Sequence, residues 1–267
     1  MQLLYKRVII SWCFCLLTLF VRAQIINIDK TDTSAYLPKA AWNGNVALGL
    51  EVDKQKTTLF DASNYADVSL QKMYELFVLS ASNRLTYNGP QDFLNTGYVH
   101  VRWRNHYKDR LHPESYVQYQ WDDIIGMLHR FVCGENLRYN FWHHHAWEMT
   151  MATGLMYENE LWNYIAVDSG KIPVNAVNQK SNELKSNTYI KWAGKVSKSA
   201  NLSVILFYQA AFNSFFSPRV SGVVSFDVDI SKHFALAVKY NGLYDEGPVV
   251  PIFKFYYSFS NNLVYRF

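Results

Sequence analysis

From about residue 44 onward, apolar and polar residues alternate along the chain with a period of two. In GNVALGLEVD, Val46, Leu48, Leu50 and Val52 alternate with Asn45, Ala47, Gly49 and Glu51. In TLFDASNYADVSL, Asp61, Ser63, Asp67 and Ser69 share one face, and Phe60, Ala62, Val68 and Leu70 the other. VHVRWRNHY puts Val99, Val101 and Trp103 opposite His100, Arg102, Arg104 and His106. HRFVCGENLRYNF sets Phe131, Cys133, Leu137 and Tyr139 against Arg130, Gly134, Asn136 and Arg138, and WEMTMATGLMYE sets Met149, Met151, Leu155 and Tyr157 against Glu148, Thr150, Gly154 and Glu158. Strict alternation marks strands whose two faces meet different surroundings. About a dozen such segments begin near residues 44, 58, 73, 94, 114, 129, 146, 185, 201, 219, 233 and 250.

In a soluble sandwich the outer face would be thick with Lys and Glu. Here one face is rich in aromatics and the other carries Asn, Gln, Ser, Gly and some Arg and Asp. That division suits a barrel with lipid outside and a polar interior. Only a closed barrel or a helix satisfies every backbone group in hydrocarbon. The pattern therefore predicts an all-β fold: a transmembrane antiparallel up-and-down β-barrel of about twelve strands over residues 44–267.

The connections agree. If the chain starts on the periplasmic side, the even-numbered connections face inward, and these are brief: Gln71-Lys72, KDRLHPE, HHH, SKSA and Ser231-Lys232. The odd set is longer, with NGPQD, DDIIGM, NSFFSP, NGLYDEGPVVP and a long stretch over 159–183. Short inner turns and longer outer loops are the asymmetry of outer-membrane barrels.

The first stretch, MQLLYKRVIISWCFCLLTLFVRAQ, has a basic start at Lys6 and Arg7, an apolar run over 8–21 and a small-residue cleavage pattern at Val21-Arg22-Ala23. It reads as a secretory signal peptide over 1–23, followed by a short periplasmic lead over 24–43. An uncleaved membrane helix would need about 20 apolar residues. Taking Lys6, Arg7 and Arg22 from the 26 basic residues leaves 23 against 22 acidic ones, a net charge near +1 in place of +4. That leaves no basic patch for nucleic acid. Cys13 and Cys15 leave with the signal and only Cys133 remains, so no disulfide framework is expected. Aromatics at 16% fit strands and membrane interfaces.

The alternation runs through NNLVYRF, placing Leu263, Tyr265 and Phe267 on one face. A strand ending on Phe is similar to the carboxy-terminal signal of bacterial outer-membrane proteins, which the barrel-insertion machinery reads. The expected partners are thus outer-membrane lipid and, during insertion, the barrel-assembly machinery; the barrel is expected to be a monomer in a Gram-negative outer membrane.

FLNTGYVHVRWRNHYKDRLHPESYVQYQWDD followed by MLHRFVCGENLRYNF resembles the domain-of-unknown-function family that includes salt-induced outer-membrane proteins, in its Bacteroidetes branch. The likeness is best over residues 93–141 and looser over 44–267. Members carry a Gly-rich sixth strand, whereas RFVCGEN keeps only Gly134. The resemblance implies the barrel fold and brings no catalytic residue and no cofactor.

The residues themselves offer few chemical sites. His143, His144 and His145 could bind a transition metal, but adjacent strand residues point to opposite faces, and no Cys or carboxylate stands beside them at metal spacing. A polar turn is the favoured reading. His100, Arg102, Arg104 and His106 form a basic row on one interior face, which Arg138 joins from a later strand. Glu51, Asp61, Asp67, Glu148, Glu158, Asp227 and Asp229 stand against them. Two readings follow: a salt-bridge network filling the lumen, or a constriction whose charges select solutes. No G-x-S-x-G, H-E-x-x-H, phosphate loop or G-x-G-x-x-G occurs, so no enzyme is expected. A lipid-cleaving barrel would need Ser and His together on the outer wall. The function expected is a narrow channel for ions or small polar solutes, or else a closed structural or envelope-stress barrel acting through its outer loops.

Overall fold

The computed structural model describes residues 40–54, 58–88 and 92–267. The expected signal peptide over 1–23 and the lead as far as residue 39 lie outside the described residues, as does the side chain of Glu51. Twelve strands follow: β1 (Ala41–Lys54), β2 (Thr58–Lys72), β3 (Glu75–Asn88), β4 (Asp92–Asn105), β5 (Leu111–Asp122), β6 (Met127–His144), β7 (Trp147–Trp162), β8 (Gln179–Lys195), β9 (Ala200–Ala211), β10 (Arg219–Asp229), β11 (Phe234–Asp245) and β12 (Phe255–Arg266). Each pairs antiparallel with the next, and β1 pairs with β12, so the sheet closes into a barrel.

Two strand starts differ most from the alternation pattern. β8 starts at Gln179 and not near 185, because Gln179 still pairs with Trp162 of β7. β8 thus runs beyond its last pair with β9, Lys185 with Ala211, while β7 ends level with Met127 of β6, and the loop expected over 159–183 shortens to residues 163–178. β12 starts at Phe255 and not near 250, because residues 246–254 fold over the barrel mouth.

β5 starts earlier than its sequence implies. Pro113 reads as a turn residue, yet it lies opposite Leu137 of β6, and pairing to β4 begins only at Glu114. Pro, with no N–H, is tolerated where a strand has a neighbour on one side only. The consequence is that His112 and Glu114 belong to the interior face.

Outward side chains form a continuous apolar band, with Leu48 66%, Leu50 70% and Leu206 56% exposed. Bare to water, an apolar surface of this extent would drive aggregation; a bilayer covers it. Aromatic rows mark its edges, with Trp42, Tyr139 and Tyr265 near the short turns and Phe60, Phe131 and Tyr157 near the long loops. Among the described residues, the outer wall carries one charge between these rows. It is Glu135, four residues from both Phe131 and Tyr139 on β6. Leu263, Tyr265 and Phe267 all face outward, and Cys133 does likewise, half-buried and in no disulfide.

The seam between β1 and β12 runs from Asn45–Arg266 to Leu48–Leu263. It extends through the Phe267 N–H donating to the Gly44 carbonyl at 3.1 Å and the Gly44 N–H donating back at 3.2 Å. The Phe267 ring lies across Gly44, where a Cβ would come within 2.0 Å of it. Only glycine allows that approach.

At the long-loop end, Ile125, Met127, Trp162, Val167 and Val250 form a buried apolar cluster, with Tyr164, Val249, Ile252 and Tyr256 packed against it. The first part of the 163–178 loop thus joins a cap over the mouth, while Val174 and Val177 further along it are exposed.

Candidate functional site in the barrel lumen

Interior side chains alternate with the lipid-facing ones, so a straight row on one strand meets rows on its neighbours at fixed register. On β4 this places His100, Arg102 and Arg104 inside; on β5, His112 and Glu114; on β6, Asn136 and Arg138. Arg104 lies directly opposite Glu114, Glu114 opposite Asn136, and His112 opposite Arg138.

Glu114 is the centre of this cluster. Its Oε2 accepts from Arg104 Nε at 2.6 Å, with Arg102 Nε at 3.7 Å and Arg138 Nη1 at 3.8 Å. Its Oε1 accepts from the Tyr189 hydroxyl of β8 at 2.9 Å and from Asn136 Nδ2 at 3.4 Å. Arg138 in turn donates to the Tyr189 oxygen at 3.1 Å and to Thr150 Oγ1 at 3.4 Å. Arg102, Arg104, Glu114, Arg138 and Tyr189 are each 5% exposed or less. One carboxylate therefore faces three guanidiniums in a closely buried waist.

His100 is held as a neutral ring. Arg102 can only donate, so the His100 Nε2 at 3.0 Å from Arg102 Nη2 is an acceptor, and the ring proton sits on Nδ1, 3.4 Å from Gln118 Oε1. The local excess of positive charge is therefore carried by the arginines.

A second buried ion cluster lies nearer the long-loop end. Arg219 of β10 donates to Glu160 Oε1 at 2.7 Å, to Glu158 Oε1 at 3.0 Å and to Asp245 Oδ2 at 2.8 Å. Arg130 donates to Glu158 Oε1 at 2.7 Å, and Lys185 also bonds Glu158. This cluster joins β6, β7, β8, β10 and β11 across the lumen.

Between the two clusters is a chamber with a cavity volume of about 90 Å³, or about 920 Å³ when all the space between its lining atoms and at its open side is counted. Its floor is His100, Arg102 and Glu114; its walls carry Tyr116, Gln118, Gln120, Asn187 and Gln209; Trp162, Ile252 and Phe253 line it toward the cap.

Of the residues singled out in the sequence, His100, Arg102, Arg104 and Arg138 meet at the waist. His106 does not belong to this row. It has a left-handed backbone, φ 50°, in the turn after β4, where its exposed ring stacks on Tyr74. Alternation ends where the strand ends, one residue earlier. Glu148 lies apart near the short-turn end, accepting from Lys191 Nζ at 2.9 Å. Asp61 and Asp67 are tied within the wall, to Arg84 and Ser80 respectively. Asp229 pairs with Arg266, and Asp227 lies 3.8 Å from the same guanidinium. His143 and His144 are in the β6–β7 ladder, and only His145 of the three lies in the turn. Among the described residues no three His, Cys, Asp or Glu side chains group as a metal site requires. On the outer wall His129 Nε2 lies 3.2 Å from Asn159 Oδ1.

Sequence reasoning missed Glu114 and Tyr189. Glu114 lies in the same parity as Tyr116, Gln118 and Gln120, a signal obscured by Pro113. Tyr189 looks like a lipid-facing aromatic until its register with Ala152 of β7 is known.

Residues 84–267 match the family model described as protein of unknown function, DUF481. The chain belongs to that family. The match covers all of the waist and chamber, from β4 to β12, so both lie in the DUF481 region. Among curated proteins the chain has no match. Among solved structures it is similar to an outer membrane channel from Pseudomonas putida F1, at 8% identity and TM-score 0.47, covering 89% of this chain and 98% of that one. It is also similar to the NanC porin, at 8% identity and TM-score 0.42 over 85% and 97%. A third likeness is the β domain of the Bordetella autotransporter BrkA, at 11% identity and TM-score 0.37 over 85% and 97%.

Proposed function

We propose that this DUF481 barrel is a narrow outer-membrane channel for ions or small polar solutes, closed at the waist in the conformation described. The long loops face the cell exterior and the short turns the periplasm. The observation that carries this reading is that the obstruction at the waist, below the second ion cluster and the loop cap, consists of side chains centred on Glu114. The groups around that carboxylate all come from the inward faces of β4, β5, β6 and β8, and a chamber walled by amide, hydroxyl and apolar side chains lies directly above it. Side chains held by one carboxylate can rearrange without disturbing the barrel ladder. The three arginines against one acid favour anions at the constriction.

Liposome swelling tests the proposal. Vesicles carrying the folded protein should swell slowly in small polyols, and faster with Arg102→Ala, which removes bulk from the waist. Equal, background-level swelling for both proteins would refute the channel.

The alternative, a closed barrel acting through its outer loops, draws support from the packing of the waist and from the apolar cap. It predicts no swelling with either protein and a phenotype that follows changes in the 163–178 loop.

A further inference from the structure

The charged side chains that line the chamber are each already engaged by a partner, and the excess of arginine lies below, at the waist. Arg130 and Arg219 are both engaged by Glu158 and Glu160, and Arg219 also by Asp245. At the floor, Arg102 lies between Glu114 and the neutral His100. An ion entering would shed water and would have to displace an existing pair to find a partner.

The remaining polar lining is of a different kind. Gln118 Nε2 donates to Gln120 Oε1 at 2.9 Å, Gln209 Nε2 to Asn187 Oδ1 at 3.0 Å, and Asn187 Nδ2 to the Tyr116 hydroxyl at 3.0 Å. Amides and hydroxyls both donate and accept; Gln120 and Gln209 also accept from Arg130 at 3.4 and 3.3 Å, but that guanidinium keeps its pairs with Glu158 and Glu160 when a ligand exchanges bonds with the amides. The other surface is apolar, with Val132, Phe207 and Leu243 on the walls and Trp162, Ile252 and Phe253 near the mouth. Phe253 is 70% exposed and belongs to the 246–254 loop, so it stands where the chamber meets the outside.

We infer that the chamber is a binding site for a small uncharged molecule that is apolar on one face and carries hydroxyl or amide groups on the other. Its polar groups replace bonds within the Gln118–Gln120 and Asn187–Gln209 pairs, and its apolar face packs on Phe207 and the mouth residues. This inference rests on the channel reading only in taking the chamber to be open to the exterior, and it concerns the small polar solutes of that reading, held in the chamber above the arginine waist.

The test is calorimetric titration of the full protein, purified from membranes into lipid nanodiscs, with empty nanodiscs as the blank. The probes are phenyl β-D-glucoside, benzoate, benzylammonium and glucose. The neutral glucoside should bind saturably, and the two charged rings about tenfold more weakly or worse, as the cost of desolvating a charge requires. Glucose, which lacks the apolar face, should also bind more weakly. Phe207→Ala and Gln118→Leu should each weaken glucoside binding, while Leu48→Ala on the outer wall should not; a heat-dependent gel shift verifies that each variant is folded. Equal binding of a charged ring, or no saturable binding to folded protein, would overturn the inference. Binding without solute passage would leave it standing and remove the channel reading; passage without binding would do the reverse.

Discussion

The hydroxyl of Tyr189 on β8 donates to the Glu114 carboxylate on β5 at 2.9 Å, spanning 75 positions in sequence and bridging two intervening strands. The same hydroxyl oxygen accepts from Arg138 at 3.1 Å, so Tyr189 links the carboxylate to one of its guanidiniums. Tyr189→Phe keeps the ring and removes both bonds. A hydrogen bond to a charged group contributes about 1.5–3 kcal/mol. The variant should fold and lose stability of that order in urea unfolding from lipid vesicles; an unchanged midpoint would mean the bond is replaced by water.

Glu114→Gln should cost more. It removes the carboxylate that three buried guanidiniums face, and breaking a buried ion pair on one side costs about 3–5 kcal/mol. Unfolding measured as above should show this loss, together with leakier vesicles as the arginines repel. A loss below about 1 kcal/mol would mean that water or another acid already shares the load.

How much of this was legible in the sequence follows from what alternation can and cannot report. It assigns faces within a strand, so Cys133 outward and Arg138 inward could be read directly, and the twelve-strand count with them. It does not mark where a strand stops: His106 keeps the parity of Arg104 but has already turned the corner. Nor does it report register between strands, which brings Tyr189 to Glu114 and Arg219 to Glu160. The apolar cap was hidden because Ile125, Val167 and Val250 come from three separate loops and show no period at all.

Glu135 tests the membrane placement of the barrel. It stands at the middle of the lipid-facing band, where a basic side chain costs about 2–4 kcal/mol and an acid less. Glu135→Leu should therefore stabilise the barrel by about 1–2 kcal/mol in bilayers. The same substitution should change little in detergent, where water reaches the wall more readily. Destabilisation in bilayers would show that Glu135 has a partner within the membrane.

Gly44 tests the seam. A Cβ there would meet the Phe267 ring at 2.0 Å, so Gly44→Ala should displace the ring from the β1–β12 junction at a cost of about 1–3 kcal/mol, the range for overpacking. Amide exchange should then quicken at Gly44, Asn45 and Arg266 ahead of the rest of the barrel. Uniform protection across all strands would show that the ring contributes nothing to closure.

Single-channel recording in planar bilayers bears most directly on the central claim, that the lumen is a passage governed by the Glu114-centred waist. The wild-type protein should show small discrete conductance steps, with a reversal potential in asymmetric salt that favours anions. Arg102→Ala should enlarge the steps and weaken the anion preference. Electrical silence from both proteins, each shown to be folded and inserted, would contradict the account and leave a closed barrel.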